Sequence, residues 1–405
     1  MPFTIALSGL NASSDDLNVT ANNIANASTN GFKESRAQFV EVFAVGSEAI
    51  ANNVTGSGVR MSTVAQQFSQ GNIDFTGNSL DLAVTGQGFF TLSESGSLFY
   101  SRAGAFGVDR LGFVVNAENQ RLQVYPPLGN GAFNTGGLSD LQLLTDQNPP
   151  LASTQFDLGV NLPADGVVPP NGTFDPNDPL SFNHTTSTTV FDSLGAAHTA
   201  SVFFIKDPAA NTWQQRLYVD GTAVGGPTTV QFDSTGNLVV PASGIISHPP
   251  FAPGNGANDI VLDLDLQLTT QFGGSFGVNS LSQDGFASGR LTGIEIDASG
   301  VVFARFTNGQ SEELGKVALS NFPNPQGLGQ VGDTTWVETF GSGDALRGEA
   351  GTASFGLVQS GALEASNVDL TEQLVNMITA QRNFQANAQV ISTADDITQT
   401  IINIR

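Results

Sequence analysis

The feature that most limits the fold is a pair of long apolar stripes, one at each end of the chain. Phe3, Leu7, Leu10, Ser14, Leu17, Ala21 and Ile24 follow one another at alternating steps of four and three. That spacing is a heptad seam and predicts a helix. Pro2 stands where a first-turn proline is tolerated, and Asn30-Gly31 supplies a stop. At the far end Asp369 and Glu372 have capping-box spacing. Leu370, Leu374, Met377, Phe384, Ala388 and Ile391 then form one stripe, which Ala394, Ile397, Ile401 and Ile404 continue with a small drift. Neither Gly nor Pro interrupts 369–404, so a helix there would extend roughly 50 Å.

The polar sides of these stripes carry amides in place of charges. Before Lys33 the only charges are Asp15 and Asp16, among Asn11, Asn18, Asn22, Asn23 and Asn26. Between Glu372 and Asp395 the only charge is Arg382, among Gln373, Asn376, Gln381, Asn383, Gln385, Asn387 and Gln389. A solitary solvated helix usually intersperses charges. Amide faces can instead meet protein without burying charge. Two arrangements fit: a two-helix core inside one monomer, or helices that pack against other copies.

The middle reads as β. Asp-x-x-Gly recurs at 109–112, 192–195, 233–236 and 297–300, each time between apolar or alternating stretches. Asp at the first and Gly at the fourth position signal a type I turn. Asn308-Gly309 marks another hairpin turn. Residues 261–268 alternate strictly as Val-Leu-Asp-Leu-Asp-Leu-Gln-Leu and predict a half-exposed strand. Loops rich in Pro, Gly and Asn fall at 129–137, 163–179 and 249–258. The expected fold class is therefore mainly β outer domains, hairpin-rich and sandwich- or barrel-like, with long α-helices from both termini forming a coiled-coil-like inner domain. The expected division is 1–33 with 362–405 as an inner helical domain, 34–71 as a linker with a hairpin, 72–144 with 281–361 as a middle β domain, and 145–280 as an outer β insert.

Composition removes whole classes of chemistry. With 14 basic and 37 acidic residues among 405, the net charge of −23 repels nucleic acid and anionic lipid. Cysteine is absent, which excludes disulfides, thiolate nucleophiles and Cys-based metal centres. No basic n-region precedes an apolar core at the start, so no signal peptide is expected, and no run approaches a membrane span. Gly86-Gln-Gly88 lacks the third Gly and the following helix of a dinucleotide loop, and reads as a turn. Asp175 and Asp178 lack the remaining ligands of a calcium loop and read as an Asp-Pro turn. Asp263 and Asp265 share a strand face without a partner motif. His198 near Asp192 could pair with it, but no nucleophile motif accompanies them. No catalytic, cofactor or metal site is expected.

The terminal and flanking blocks resemble those of flagellar hook proteins, within the rod, hook and hook-associated axial family. The resemblance rests on Ala6-Leu-Ser-Gly-Leu10, Ala21-Asn-Asn-Ile-Ala-Asn26 and Thr29-Asn-Gly-Phe-Lys33; on residues 80–90 with Gly86-Gln-Gly88; on Tyr100-Ser-Arg-Ala-Gly-Ala-Phe106; and on Gly361-Ala-Leu-Glu-Ala-Ser-Asn-Val-Asp-Leu370 with Met377-Ile-Thr-Ala-Gln-Arg-Asn-Phe-Gln-Ala-Asn387. The insert, with residues 190–195, His198 and Asn211-Thr-Trp213, is similar to a hook outer domain, and 317–328 to the segment leading back from it. Phe384 stands where Tyr is frequent in the family, and Gln389 where Lys is.

The resemblance implies a structural, non-enzymatic subunit without cofactors. Such a subunit self-assembles into a curved flexible tube that acts as a universal joint between rod and filament. It implies export without a cleavable signal by the flagellar type III apparatus to an extracellular site in the hook and basal body. It further implies contacts with the distal rod protein, the hook cap protein and the hook–filament junction protein. A distal rod protein, a secreted β-rich adhesin and an enzyme are the alternatives; two Trp and three Tyr are few for an adhesin's aromatic platform. The expected assembly interface is Phe3, Leu7, Leu10, Leu17, Ala21, Ile24, Asn22, Asn23 and Asn26, with Leu370, Leu374, Met377, Phe384, Ala388, Ile391, Ile397 and Ile401. Both helices are expected to bind neighbouring copies instead of their own globule.

Overall fold

The computed structural model describes residues 2–42, 56–129, 131–143, 147–352 and 354–403. Within it the chain is mostly β, with one long helix at each end, and it divides into two compact units. The first unit is 1–144 with 293–305 and 311–405; the second is 145–292 with 306–310.

In the first unit, helix α1 runs Pro2–Ala25 and helix α2 runs Leu370–Asn403. Asp369 caps α2, its Oδ1 accepting from the amides of Thr371 at 2.8 Å and Glu372 at 3.2 Å. Two boundaries differ from the sequence reading. α1 stops at Ala25 and the chain reaches Gly31 through turns. There Gly31 takes φ +71°, and an added Cβ would lie 2.4 Å from the Ala103 amide nitrogen. Residues 362–364, assigned from the sequence to the inner helical domain, form a strand paired with Ile73–Phe75.

Strands β1 (Ser35–Glu41) and β2 (Val59–Gln66) make an antiparallel hairpin beside α1, and the middle of the predicted linker, 43–55, lies outside the described residues. Strand Ser311–Asn321 organises the main sheet of this unit. It pairs successively with Val301–Phe306, Arg121–Tyr125, Phe89–Glu94 and Leu346–Glu349. Its core joins Leu82, Val84, Phe90, Leu122, Val317 and Leu319. A smaller aromatic cluster of Phe89, Tyr100, Phe322 and Trp336 packs edge to face, with Phe68 against it.

The second unit is a sandwich. One sheet centres on Gln155–Pro163, flanked by Asp263–Asp265, Thr270–Phe272 and Gly277–Gln283; the other runs His184–Phe191, Ala197–Lys206, Thr212–Val219, Thr228–Phe232 and Leu238–Val240. Alternate residues of both sheets meet in one core: Phe156, Leu158 and Leu162 from the first, Val202, Phe204 and Trp213 from the second. The strand expected over 261–268 is shorter. Leu262, Leu264 and Leu266 are buried, but the chain turns at Leu266–Thr269 and leaves Leu268 exposed.

All four Asp-x-x-Gly segments form the expected turn. Each Gly amide donates to the Asp carbonyl, at 3.0–3.2 Å, and each Gly has a φ of 80–86°. In each, the Asp carboxylate also accepts from the amides two and four residues on. That pattern explains why Asp is used: it satisfies donors that the turn leaves over.

Candidate assembly surface

α1 and α2 lie antiparallel against one another. Asn23 near the end of α1 meets Gln373 near the start of α2, while Gly9 meets Asn387 further along α2. The face that α1 turns toward α2 is small and polar. Ala6, Ala12, Ser13, Thr20 and Asn23 are buried, and a Cβ on Gly9 would sit 2.6 Å from Asn387 Oδ1. Ala6, Gly9, Ser13, Thr20 and Asn23 each stand one position before a member of the predicted seam. One residue is about 100° around a helix, so the seam itself points away from the α1–α2 contact.

The predicted residues therefore separate into groups. Phe3, Leu7, Ala21 and Asn22 of α1 and Leu370, Leu374 and Ile397 of α2 are exposed. Phe3 and Leu374 each show 51% of their surface. Leu10, Leu17, Ile24 and Asn26, with Met377, Phe384, Ala388 and Ile391, are half-buried along the edges of the pair. The side chain of Ile401 lies outside the described residues, as does Ile404. Val375, Ile378 and Val390 are also exposed apolar residues that the stripe on α2 omitted. The expectation that each helix lacks a partner in its own chain is corrected here: the helices are partners, through amides and small residues.

Asn23 is a further correction. Its amide nitrogen donates to the Ser35 carbonyl at 2.8 Å and to Gln373 Oε1 at 3.1 Å, and its oxygen accepts from the Ser35 amide at 2.9 Å. It is 2% exposed and serves the chain's interior. Asn26 turns back onto Asn22, donating to its side-chain oxygen at 2.6 Å. Gln373 completes the corner by donating to Glu34 Oε1 at 2.9 Å. A crevice of about 540 Å³ opens here, lined by Asp16, Glu34, Arg36 and Glu372 among others. Burial pushes the Asp16 carboxyl up from the ordinary aspartate range. At the other end of the pair, Phe3, Val390, Ala394 and Ile397 line an apolar groove of about 470 Å³.

Just below the helices a buried ionic cluster ties distant segments together. Glu364 accepts from Lys33 Nζ at 2.6 Å, from the Gly71 amide at 2.9 Å and from Arg102 at 3.2 Å. Lys33 also donates to the Ser69 carbonyl, and Arg102 to the Gly86 carbonyl. Burial pushes the Lys33 ammonium and the Arg102 guanidinium down from their usual ranges, with the Glu364 charge opposing it. Asn367 adds a neutral clasp, accepting from the Glu34 amide and donating to the Gln67 and Ser69 carbonyls. The quoted sequence blocks ending at Lys33, beginning at Tyr100 and beginning at Gly361 thus converge on one carboxylate. No periodicity signals this: Lys33 and Glu364 are 331 positions apart.

The positions considered for chemistry are otherwise engaged. Gly86 and Gly88 have φ of +113° and +124° in a turn between strands. The Asp178 amide donates to the Asp175 carbonyl in a turn. Asp263 and Asp265 are half-buried along a strand. Among the described residues, no group of His, Cys, Asp and Glu has metal-holding geometry, and no helix is long and apolar enough to cross a membrane.

Comparison with known proteins adds an independent line. Family models match in four places: a flagella basal body rod protein model over 3–33, a flagellar hook FlgE/F/G D1 domain over 83–168, a flagellar basal body FlaE D2 domain over 161–286, and a basal body rod FlgEFG C-terminal model over 359–404. The flagellar hook protein FlgE of Escherichia coli is 39% identical over 416 residues, covering all of both chains. That of Salmonella typhimurium is 38% identical over 415 residues, again covering both fully. A crystal structure of Helicobacter pylori flagellar hook protein FlgE2 shares the fold, with a TM-score of 0.54 at 16% identity over 72% of this chain and all of the other.

Proposed function

This chain belongs to the flagellar hook protein family, and from that premise we propose how its surfaces serve a hook. It is a structural subunit of the bacterial flagellar hook. The family is one of structural proteins that polymerise with other flagellar components, at the hook and basal body. The finer reading is that α1 and α2 enter the polymer as a prepaired unit. Their amide-lined contact holds the pair, and their outward apolar rows meet other copies to line a tube. Burying one Leu or Phe row member contributes about 1.5–3 kcal/mol, repeated in every subunit.

The observation that carries this reading is that the contact inside the helix pair is small and polar, while large apolar side chains such as Phe3, Leu7, Leu374 and Ile397 are left exposed outside it. A monomer that stayed alone would place those faces the other way round. Contacts between the β regions of neighbouring copies would then slide as the tube bends, giving a curved flexible joint that passes torque from rod to filament. The low share of charged residues, 13%, suits weak contacts that rearrange. Partners on this reading are further copies, the distal rod protein, the hook cap protein and the hook–filament junction protein. Export on this reading runs through the flagellar type III apparatus.

The test is Leu374→Asp combined with Ile397→Asp. Both side chains are more than half exposed in the single chain, so its folding should be unchanged. Electron microscopy should then find no tubes where the unaltered protein forms them. Normal tubes from the double variant would sink the outward-row assignment.

A further inference from the structure

The second unit contains a histidine held in an arrangement that only its charged form satisfies. His198 is 8% exposed and lies between two carboxylates. Its Nδ1 is 2.6 Å from Asp220 Oδ2, at the end of strand Thr212–Val219. Its Nε2 is 3.3 Å from Asp192 Oδ2, in the turn after strand His184–Phe191. A neutral imidazole has one N–H and one lone pair, whereas ionised carboxylates only accept. Both ring nitrogens face acceptors, so both contacts are hydrogen bonds only when the ring carries two protons. Asp192 and Asp220 are the charged groups that act on it; Phe251, packed edge to face at 6.1 Å, brings none.

Asp192 is also the anchor of a loop. Its Oδ1 accepts from the Leu194 and Ala196 amides within the turn. Its Oδ2, the atom facing His198, accepts from Asn255 Nδ2 at 2.5 Å. Asn255 sits at the exposed tip of the Pro-, Gly- and Asn-rich segment 249–258, and the neighbouring Asn258 amide donates to Ser193 Oγ at 2.9 Å. One carboxylate oxygen is thus shared between the imidazole and the loop.

We propose that His198 is a proton-operated fastener for the loop 249–258. With the ring doubly protonated, Asp192 is held in the rotamer that receives Asn255, and the loop is tied to the turn 192–195. When the ring gives up a proton, the closer Asp220 contact keeps Nδ1–H. The Nε2 lone pair then faces Asp192 Oδ2, repels it, and loosens the Asn255 tether. The electrostatics run the same way. Burial disfavours the charged ring, but the hydrogen bonds to Asp220 and Asp192 outweigh it and raise the His198 pKa above the ordinary histidine value. Burial pushes His184 and His248 down. A histidine raised in the folded state contributes stability that is complete below the unfolded value of about 6.5 and is lost as pH rises through the folded value. The loop is therefore tied below the raised folded value of His198 and freed as pH rises through it.

The chain holds three histidines, so the test is direct. Side-chain NMR of the full-length histidine-labelled protein is followed from pH 5 to 10, with hydrogen exchange of the 249–258 amides corrected for intrinsic rate. The expected result is one ring that titrates above the ordinary histidine value beside two that titrate below it. Protection of the Phe251 and Ile260 amides, which bond each other's carbonyls, should fall about tenfold across that ring's titration. Asp220→Asn should move both midpoints down together. Asn255→Ala should free the loop at every pH while His198 still titrates high, which covers the case in which Asp220→Asn fails to fold. Three rings that all titrate at or below the ordinary histidine value would overturn the proposal, as would constant loop protection through the titration of His198, or a loop in Asn255→Ala as protected at pH 6 as in the unaltered chain.

Discussion

The helix pair and the sandwich unit solve opposite problems. In the sandwich, Phe156, Phe204 and Trp213 are fully enclosed by their own chain. In the helix pair, the enclosed positions are Ala6, Ser13, Thr20, Asn23 and Gln373, while Phe3, Leu374 and Ile397 stay outside. The sandwich can be stable alone because its two sheets bury a large apolar core against each other. The pair holds its apolar surface in reserve. Its internal contact is kept specific by the Asn23–Gln373 hydrogen bond, which loses little when a second layer of protein arrives. The difference teaches that the direction of burial, more than the amount of apolar residue, separates a finished domain from an assembly element.

That contrast can be broken by experiment, beginning with the largest effect. Trp213→Ala empties a site deep in the sandwich and should cost about 3–5 kcal/mol in chemical denaturation of the free chain. A loss under about 1 kcal/mol would show that the sandwich is no better enclosed than the helices. Glu364→Gln leaves Lys33 and Arg102 buried without their counter-charge and should cost about 3 kcal/mol, with faster proteolysis near both ends. Asp297→Ala removes the acceptor for the Ser299 and Val301 amides and should cost about 1 kcal/mol, read as a small drop in melting temperature. Ile378→Ala, on the exposed row of α2, should change the free chain by less than about 0.5 kcal/mol. A core-sized loss there would show the row to be buried already, and the contrast would collapse.

Acid sharpens the comparison within the sandwich. Burial alone would raise the Asp192 pKa, but hydrogen bonds from Asn255, Ala196, His198 and Leu194 outweigh it and lower the value from 3.8 to about 2. A carboxyl depressed in the folded state stabilises above its unfolded value and loses that contribution as pH falls through the folded one. Part of the sandwich's stability should therefore disappear between about pH 4 and pH 2. Asp192→Asn should flatten that segment of the pH–melting curve.

The parts of this fold that local chemistry decides were legible in the sequence. The four Asp-x-x-Gly turns were, because donor, acceptor and left-handed glycine all sit within five residues. Helices at the two ends were, because apolar spacing and the Asp369 cap are local signals. The orientation of α1 was not. Counting apolar residues finds the Phe3–Ile24 row, but the contact with α2 uses Gly9, Ser13 and Asn23, which carry no hydropathy signal. Residues 261–268 misled for a similar reason: alternation set which leucines are buried, but not where the strand stops. Asn23 looked like one amide among several until Ser35 and Gln373 were seen to take both of its donors, with Ser35 also using its oxygen. The meeting of Lys33, Arg102 and Glu364 depends on tertiary folding alone.

That meeting has an architectural result. Glu364 closes a ring of chain whose two ends are held side by side beneath the helices. Everything between Lys33 and Glu364, the sandwich included, is threaded as one large excursion from a fixed clasp. Among the described residues, none in the sandwich supplies a group that closes the clasp. The length of the excursion and the spacing at the clasp are thereby set by different parts of the chain.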